Sequence, residues 1–93
     1  MITVKHYSIP METGTHLIPF AKNGTPVGVM NGKLIVVENS DTPQKTTYPI
    51  VVLSSGESVD DGVLGANGAQ RSYLGSFWDS SLGKFFHVFS LYL

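Results

Sequence analysis

The chain has 93 residues, of which 42% are hydrophobic and only 14% charged, and its formal net charge is −1. This length predicts one domain (1–93) with one modest core. The six Lys and Arg residues are scattered along the sequence, which argues against binding to duplex nucleic acid because that usually needs a concentrated basic face.

The low charge also predicts a partner. An average soluble domain has about 25% charged residues, so this chain has too few charged side chains to cover most of the surface of a small monomer. We therefore expect a homo-oligomer or a partner that covers apolar surface, although Ser, Thr, Asn and Gly could also clothe a monomer. The sequence lacks cysteine, which excludes disulfides and thiolate metal sites. No apolar run reaches a signal peptide or a membrane span, so we expect a cytoplasmic protein that does not bind membranes.

The first half of the chain predicts strands separated by turns. Residues 2–9 form a strand candidate, 10–14 a turn and 15–18 a returning strand, followed by a loop at 19–24. None of these segments has helical periodicity.

The most specific structural signal is Asn31-Gly32 between two apolar runs. Both residues tolerate the positive φ of a type I′ turn, so the pair predicts a tight hairpin. Placing Met30 opposite Lys33 sets the register, and Val27 should then face Val36.

The second half of the chain contains a strand at 45–53, a long connection at 54–70 and two final strands joined by a turn at 79–83. Pro49 cannot donate to a ladder, so its strand is expected to start beside it or to lie at a sheet edge. A glycine-rich connection of this length is either functional or mobile. We predict an all-β protein: a small antiparallel meander of six to seven short strands, closing into a barrel or sandwich without a major helix.

The last strand is apolar on both faces. Phe85, Phe89, Leu91 and Leu93 alternate with Phe86, Val88 and Tyr92, whereas a half-buried strand should alternate apolar with polar residues. The strand is therefore either central in a small barrel or part of a subunit interface. The residues predicted to form an oligomer interface are Phe85, His87, Phe89, Leu91, Ile35 and Val37.

The residues show no catalytic or metal signature. His6 and His16 could be cross-strand neighbours, but the spacing of the three histidines specifies no zinc site. Ser54-Ser55-Gly56 follows a strand without the flanking glycines or the helix of a nucleophile elbow. The acids of the glycine-rich segment lack the spacing of a calcium loop. We predict no catalytic residue, no metal and no cofactor.

A basic and aromatic set beside the glycine-rich segment is the best ligand-site candidate. Aromatic rings can stack on bases and Arg can pair with phosphate, and backbone N–H groups of a Gly/Ser loop can bind anions. Ordinary core and turn packing is the competing interpretation. The predicted ligand-binding residues are Arg71, Tyr73, Trp78, Lys84, Ser55 and Gly56.

Several short motifs are similar to a bacteriophage family. They are Lys5, Tyr7, Ile9 and Pro10 at the start, Pro19, Ala21, Val27, Gly32 and Leu34 in the middle, and Tyr73-Leu74-Gly75-Ser76-Phe77, Gly83 and Phe86-His87-Val88-Phe89 at the end. The chain thereby resembles a family of short all-β phage proteins known only as a domain of unknown function. The family's Gly-x-Gly-His motif is replaced here by Ser54-Ser55-Gly56-Glu57, so no role of that histidine is carried over. The resemblance implies a phage origin and supplies no mechanism.

Three functions are compatible with these residues. The first is a non-enzymatic, phage-type counter-defence protein whose homo-oligomer sequesters a small, nucleotide-like ligand in the host-cell cytoplasm. The second is a protein-binding inhibitor that presents apolar surface to a host or defence enzyme. The third is a small hydrolase of a signalling nucleotide, for which the sequence identifies no pair of nucleophile and base.

Overall fold

The computed structural model describes residues 1–41, 44–65 and 72–91. This part of the chain forms two antiparallel sheets that pack as a sandwich, and it contains no helix of the kind that could span a membrane. The predicted all-β antiparallel class is confirmed. The strands are β1 (Ile2–Ser8), β2 (Gly14–Ala21), β3 (Thr25–Met30), β4 (Lys33–Asn39), β5 (Lys45–Ser54), β6 (Tyr73–Asp79) and β7 (Lys84–Ser90).

The order of strands in the sheets departs from their order along the chain. One sheet has the order β1-β4-β3 and the other β2-β5-β7-β6. Among the strand pairs of the described residues, only β3–β4 and β6–β7 are hairpins. β1 and β2 belong to different sheets, so the segment between them carries the chain from one sheet to the other. Ile9 in this segment is 4% exposed and belongs to the core between the layers. His6 and His16 therefore lie in different sheets and are not cross-strand neighbours.

The Asn31-Gly32 hairpin has the predicted turn and, next to it, the predicted register. Asn31 has φ 50° and Gly32 φ 78°, as a type I′ turn requires. Met30 pairs with Lys33, but a bulge further along places Pro26 opposite Val36. The predicted pairing of Val27 with Val36 is wrong, because a ladder is commonly bulged beside a proline, which cannot donate to it.

Pro49 lies inside β5, and β5 lies between β2 and β7. The expectation that this strand starts at the proline or occupies an edge is therefore wrong. The ladder tolerates Pro49 because the side of β5 on which its N–H would lie faces Leu91, one residue beyond the end of β7. There Leu91 N–H donates to the Pro49 carbonyl at 3.1 Å, so the missing donor falls where this pairing ends.

Alternating side chains of both sheets fill the interior. Phe20 and Tyr48 stack with ring centroids 4.1 Å apart, and Phe77 packs on Phe86 at 5.7 Å. The buried residues of this core are Ile9, Ile18, Phe20, Leu34, Val36, Tyr48, Ile50, Val52, Phe77, Phe86 and Val88.

One carboxylate is buried with its hydrogen-bond donors. Glu38 accepts from Tyr7 Oη at 2.8 Å and Ala21 N–H at 3.0 Å, and Lys5 Nζ lies 3.2 Å away. Burial alone would raise the pKa of Glu38, but these donors and the Lys5 charge bring it below its usual value. Burial, together with the hydrogen bond to Glu38 and its charge, raises the pKa of Tyr7 to about 12.

Candidate functional site

Aromatic side chains cover part of the outer surface of the four-stranded sheet. Phe86 and Val88 of β7 point into the core, so the intervening residues point outward. The register adds Tyr73, which pairs with Phe89, and Trp78, which pairs with Phe85. We call this surface the aromatic face and define it by Tyr73, Trp78, Phe85, His87 and Phe89.

The rings of the aromatic face form a connected series. Centroid distances are 6.3 Å between Trp78 and Phe85, 5.5 Å between Phe85 and His87, 6.0 Å between His87 and Tyr73, and 5.2 Å between Tyr73 and Phe89. All four pairs are tilted. Trp78 is 58% exposed and Tyr73 46% exposed, so much of this ring surface is open to a ligand or to another protein.

His87 is held between two hydroxyl groups at the centre of this series. Its Nε2 lies 2.9 Å from Ser55 Oγ, and its Nδ1 lies 3.2 Å from Tyr73 Oη. A neutral imidazole donates from one nitrogen and accepts at the other, and hydroxyls can do either. Both tautomers of His87 are therefore satisfied, and the two bonds fix the plane of the ring.

The turn after β5 places Ser55 against His87. Ser55 N–H donates to the Phe85 carbonyl at 2.9 Å, which extends the β5–β7 ladder by one residue. Gly56 follows with φ 87°, a left-handed conformation that suits glycine. Ser55, the first residue after β5, thereby lies directly opposite β7.

One ion pair lies at the end of the aromatic face. Lys84 Nζ is 3.6 Å from Glu57 Oε1, and both side chains are about half exposed. An anionic ligand that used Lys84 would compete with Glu57. An exposed ion pair of this kind contributes little stability, so replacing Glu57 by an anionic ligand costs little free energy.

The predicted ligand-binding residues are partly brought together. Ser55 and Tyr73 contact His87, with Gly56 beside Ser55, while Trp78 lies against Phe85 and Lys84 precedes it. Arg71 lies outside the described residues.

The predicted interface residues divide between two opposite surfaces. Phe85, His87 and Phe89 belong to the aromatic face, and Leu91 follows them one residue beyond the end of β7. Ile35 and Val37 alternate with the buried Leu34 and Val36 and so lie on the outer surface of the three-stranded sheet. They cannot belong to one contiguous patch with the β7 residues.

Sequence reasoning missed the central place of His87 in the candidate ligand site, and it missed the pairing of Glu57 with Lys84. Both depend on the β5–β7 ladder, whose residues are far apart along the chain: Ser55 and His87 are separated by 32 positions. The aromatic alternation of β7 was a signal for its outward face. No local signal indicates that β5 is its neighbour.

A groove of about 300 Å³, which adjoins the aromatic face through Trp78, lies where the β3–β4 and β6–β7 turns approach one another. Hydrogen bonds from the Ser81 hydroxyl and the Leu82 and Ser81 backbone N–H groups lower the pKa of Asp79, so its carboxylate stays ionised. The groove is lined by Met11, Asn31, Gly32, Phe77, Trp78, Asp79 and Ser80. Its only ionised side chain is an acid, so it suits a hydrogen-bond donor better than a phosphate.

Within the described ranges, no group of three or more His, Asp or Glu side chains is arranged to hold a metal ion. No protein-family model matches the chain, and comparisons with curated proteins and with solved structures found no match. The resemblance to the phage family stays a prediction.

Proposed function

We propose that this protein is a non-enzymatic binding protein that sequesters a small, nucleotide-like ligand on the aromatic face of a homo-oligomer. The observation that carries the proposal is the exposed series of rings around His87, whose orientation is fixed by Ser55 and Tyr73. Aromatic side chains on an open sheet offer stacking surfaces to bases, and stacking is worth about 1–3 kcal/mol per base. Trapping a ligand stoichiometrically needs no catalytic residue.

Polar groups at the margin of the aromatic face suit the remainder of a nucleotide. Lys84 can attract phosphate, and Ser55 can donate a hydrogen bond when its hydroxyl accepts from His87. The single positive charge of Lys84 is opposed by Glu57, so duplex nucleic acid gains little electrostatic attraction here. A small ligand fits this balance better than a polymer.

The homo-oligomer is supported by the apolar outer surfaces. Ile2 and Val4 are exposed on the outer surface of one sheet, and Tyr73 and Trp78 on that of the other. The 14% charged composition is also consistent with surface that is buried between subunits. The phage-type counter-defence role rests on the family resemblance alone.

Native mass spectrometry of freshly purified protein tests the proposal. An oligomer that carries an added mass of a few hundred daltons per site, released intact on heating, is the expected result. Thermal-shift assays with a panel of mono-, di- and cyclic oligonucleotides should then show stabilisation by one class. A monomer without adduct and without any shift would contradict the proposal.

A substitution locates the ligand. Trp78→Ala should weaken binding roughly 5- to 150-fold, which corresponds to about 1–3 kcal/mol of lost stacking, without unfolding the protein because Trp78 is largely exposed. Leu17→Ala is the matched control, since Leu17 is 65% exposed on the same sheet but outside the aromatic face. Equal affinities of the two variants, measured by calorimetry, would place the ligand elsewhere.

The hydrolase named above is an alternative, favoured by one specific contact. Ser55 Oγ lies 2.9 Å from His87 Nε2, which is the spacing of a serine nucleophile and its general base. Tyr73, instead of a carboxylate, contacts the other ring nitrogen. If this candidate is right, a fluorophosphonate probe labels Ser55 in the wild type and not in His87→Gln, and nucleotide is consumed at substoichiometric protein.

The other alternative, a protein-binding inhibitor, uses the same exposed surface. Recovery of one host protein by pull-down, lost on Trp78→Ala, together with no small-molecule shift, would favour it over sequestration.

A further inference from the structure

Strand β1 is an open sheet edge. It lies at the end of the order β1-β4-β3. At its two ends, Ser40 N–H donates to the Met1 carbonyl at 2.8 Å and Ile9 N–H donates to the Gly32 carbonyl at 3.0 Å. Because hydrogen-bonded pairs alternate along an antiparallel ladder, the odd-numbered residues of β1 bond to β4. The even-numbered residues from Ile2 to Ser8 direct their N–H and C=O groups away from the sheet.

Strand β2, at one end of the other sheet, is protected in its second half. Lys22 N–H donates to the Gln44 carbonyl. The even-numbered residues of β2 therefore form backbone hydrogen bonds with β5, and the odd-numbered residues direct their backbone groups outward. Of these, Pro19 has no N–H, and Ala21 N–H already donates to Glu38 at 3.0 Å. A proline and a filled donor are usual means of blocking an edge strand.

The remaining two terminal strands protect each other. β3 and β6 lie side by side at the opposite side of the sandwich, where a Cβ on Gly75 would come within 3.1 Å of Val29 Cγ2. Each of them also carries a bulge, which interrupts a regular edge. By contrast, β1 pairs with β4 without a shift over its whole length and contains no proline.

The side chains of β1 also leave its edge unprotected. Lys5 is the only Lys or Arg in β1, and its Nζ lies 3.2 Å from Glu38 Oε1. Its charge is therefore directed away from the open edge, where it would oppose pairing with another strand. Ile2 is 71% exposed and Val4 57% exposed, and both lie on the outer surface beside Ile35 and Val37 of β4. Among the described residues, the outward backbone groups of β1 have no partner strand, and the edge also carries an apolar stripe.

We propose that β1 pairs with β1 of a second copy of this chain, joining two three-stranded sheets into one continuous antiparallel sheet. A twofold axis at Val4 places Val4 opposite the partner's Val4 and Ile2 opposite the partner's His6. Each such pair exchanges two backbone hydrogen bonds. This register puts Thr3 beside the partner's Lys5, whereas a twofold axis at Lys5 would place two like charges opposite each other.

Pairing of this kind extends the apolar stripe across the twofold axis. Ile2 and Val4 gain cross-strand neighbours from the second copy, and the stripe then continues through Ile35 and Val37 of both subunits. The inference deepens the proposed function, on which it rests for the existence of a homo-oligomer. It leaves the aromatic face, on the other sheet, free for a ligand.

Proline substitution tests the pairing. Val4→Pro removes the central outward N–H without touching a bond to β4, so the subunit should fold, as circular dichroism will show. Sedimentation equilibrium should give at least a tenfold weaker dimer. Leu17→Pro is the matched control, because Leu17 N–H is likewise directed outward, from β2. A dimer unaffected by Val4→Pro would overturn the inference.

A cross-link tests the register and does not depend on a proline being tolerated. The sequence has no cysteine, so Val4→Cys introduces a single thiol per subunit. Hydrogen-bonded antiparallel pairs have Cα atoms about 5.5 Å apart, within the range of about 4.4–6.8 Å that disulfides span. Mild oxidation should give a covalent dimer much faster for Val4→Cys than for Leu17→Cys, and equal rates would overturn the inference.

The outcomes separate this inference from the proposed function. A Val4→Pro monomer that still binds the ligand supports β1 pairing. A dimer that survives the proline while ligand binding persists overturns β1 pairing and leaves the sequestering function in place. A wild-type monomer at all concentrations overturns the inference and the homo-oligomer together.

Discussion

At the scale of single residues, Glu38 is the clearest link between the two sheets. It lies on β4, yet it accepts the outward N–H of Ala21 on β2 and the hydroxyl of Tyr7 on β1. A buried carboxylate is favourable only when its acceptor sites are filled. The ionised form therefore contributes stability as long as this set of donors is intact.

The first residue-scale prediction concerns acid. Because the pKa of Glu38 is lower in the folded state than usual, its stabilising contribution is complete above the unfolded value and is lost as pH falls through the folded value. Glu38→Gln should lower the free energy of unfolding by about 1–3 kcal/mol at pH 7. The difference from wild type, measured by urea unfolding, should shrink as the pH falls below the ordinary range of a glutamate. Glu12→Gln is the exposed control, and a constant difference at all pH values would contradict the argument.

The second residue-scale prediction concerns high pH. With the pKa of Tyr7 raised to about 12, its contribution to stability is complete below about pH 10, the ordinary tyrosine value, and is lost as pH rises towards 12. Absorbance titration at 295 nm should include a tyrosine that ionises near pH 12. Tyr7→Phe should remove that component, while Tyr73→Phe should leave it. Retention of the component in Tyr7→Phe would refute the assignment.

At the scale of elements, the β3–β4 hairpin depends on its turn. Gly32 has φ 78°, and a Cβ there would come within 2.7 Å of Met11 Cε. The Met11 side chain is flexible and can move, but the left-handed backbone costs a non-glycine residue about 1–2 kcal/mol. Gly32→Ala should therefore lower the melting temperature by roughly 4–16 °C. Gly65→Ala, with open space around it, is the control, and equal melting temperatures would contradict the turn argument.

The elements also show what the sequence can and cannot specify. Asn31-Gly32 and the polar turn before β7 predict the two hairpins, because turn chemistry is local. The pairing of β5 with β2 and β7 is not predictable from Pro49, whose missing donor is tolerated only because β7 ends there. The same limit applies to the site: Tyr73, Trp78 and Ser55 are identifiable by residue type, but the contact of Ser55 with His87 requires the β5–β7 ladder.

At the scale of the whole molecule, both outer surfaces of the sandwich carry apolar side chains. One bears the aromatic face, and the other bears Ile2, Val4, Ile35 and Val37 on neighbouring strands. Because these two apolar surfaces lie on opposite sides of the sandwich, a ligand site and a subunit contact can coexist. The described chain is also flattened, with principal extents of 41, 30 and 18 Å and a Cα radius of gyration of 13.2 Å.

Small-angle scattering provides the prediction at this scale. Edge-to-edge joining lengthens a flat particle, so the wild type should have a clearly larger radius of gyration than Val4→Pro, and the variant should match the dimensions of one chain. A wild-type curve that superimposes on the variant at all concentrations would contradict joining through β1.

The long-range ladders have a consequence for how fast the native state is reached. Even the nearest β2–β5 pair, Ala21 with Lys45, closes a sizeable segment, and Ser54 reaches Phe86 across another. Folding that depends on such distant contacts is slow, in milliseconds to seconds, because chain entropy is lost before most contacts form. During that interval β5 is an apolar segment whose partner strands, β2 and β7, are both distant along the chain. A cell that synthesises this protein rapidly therefore faces competition between correct folding and intermolecular strand exchange.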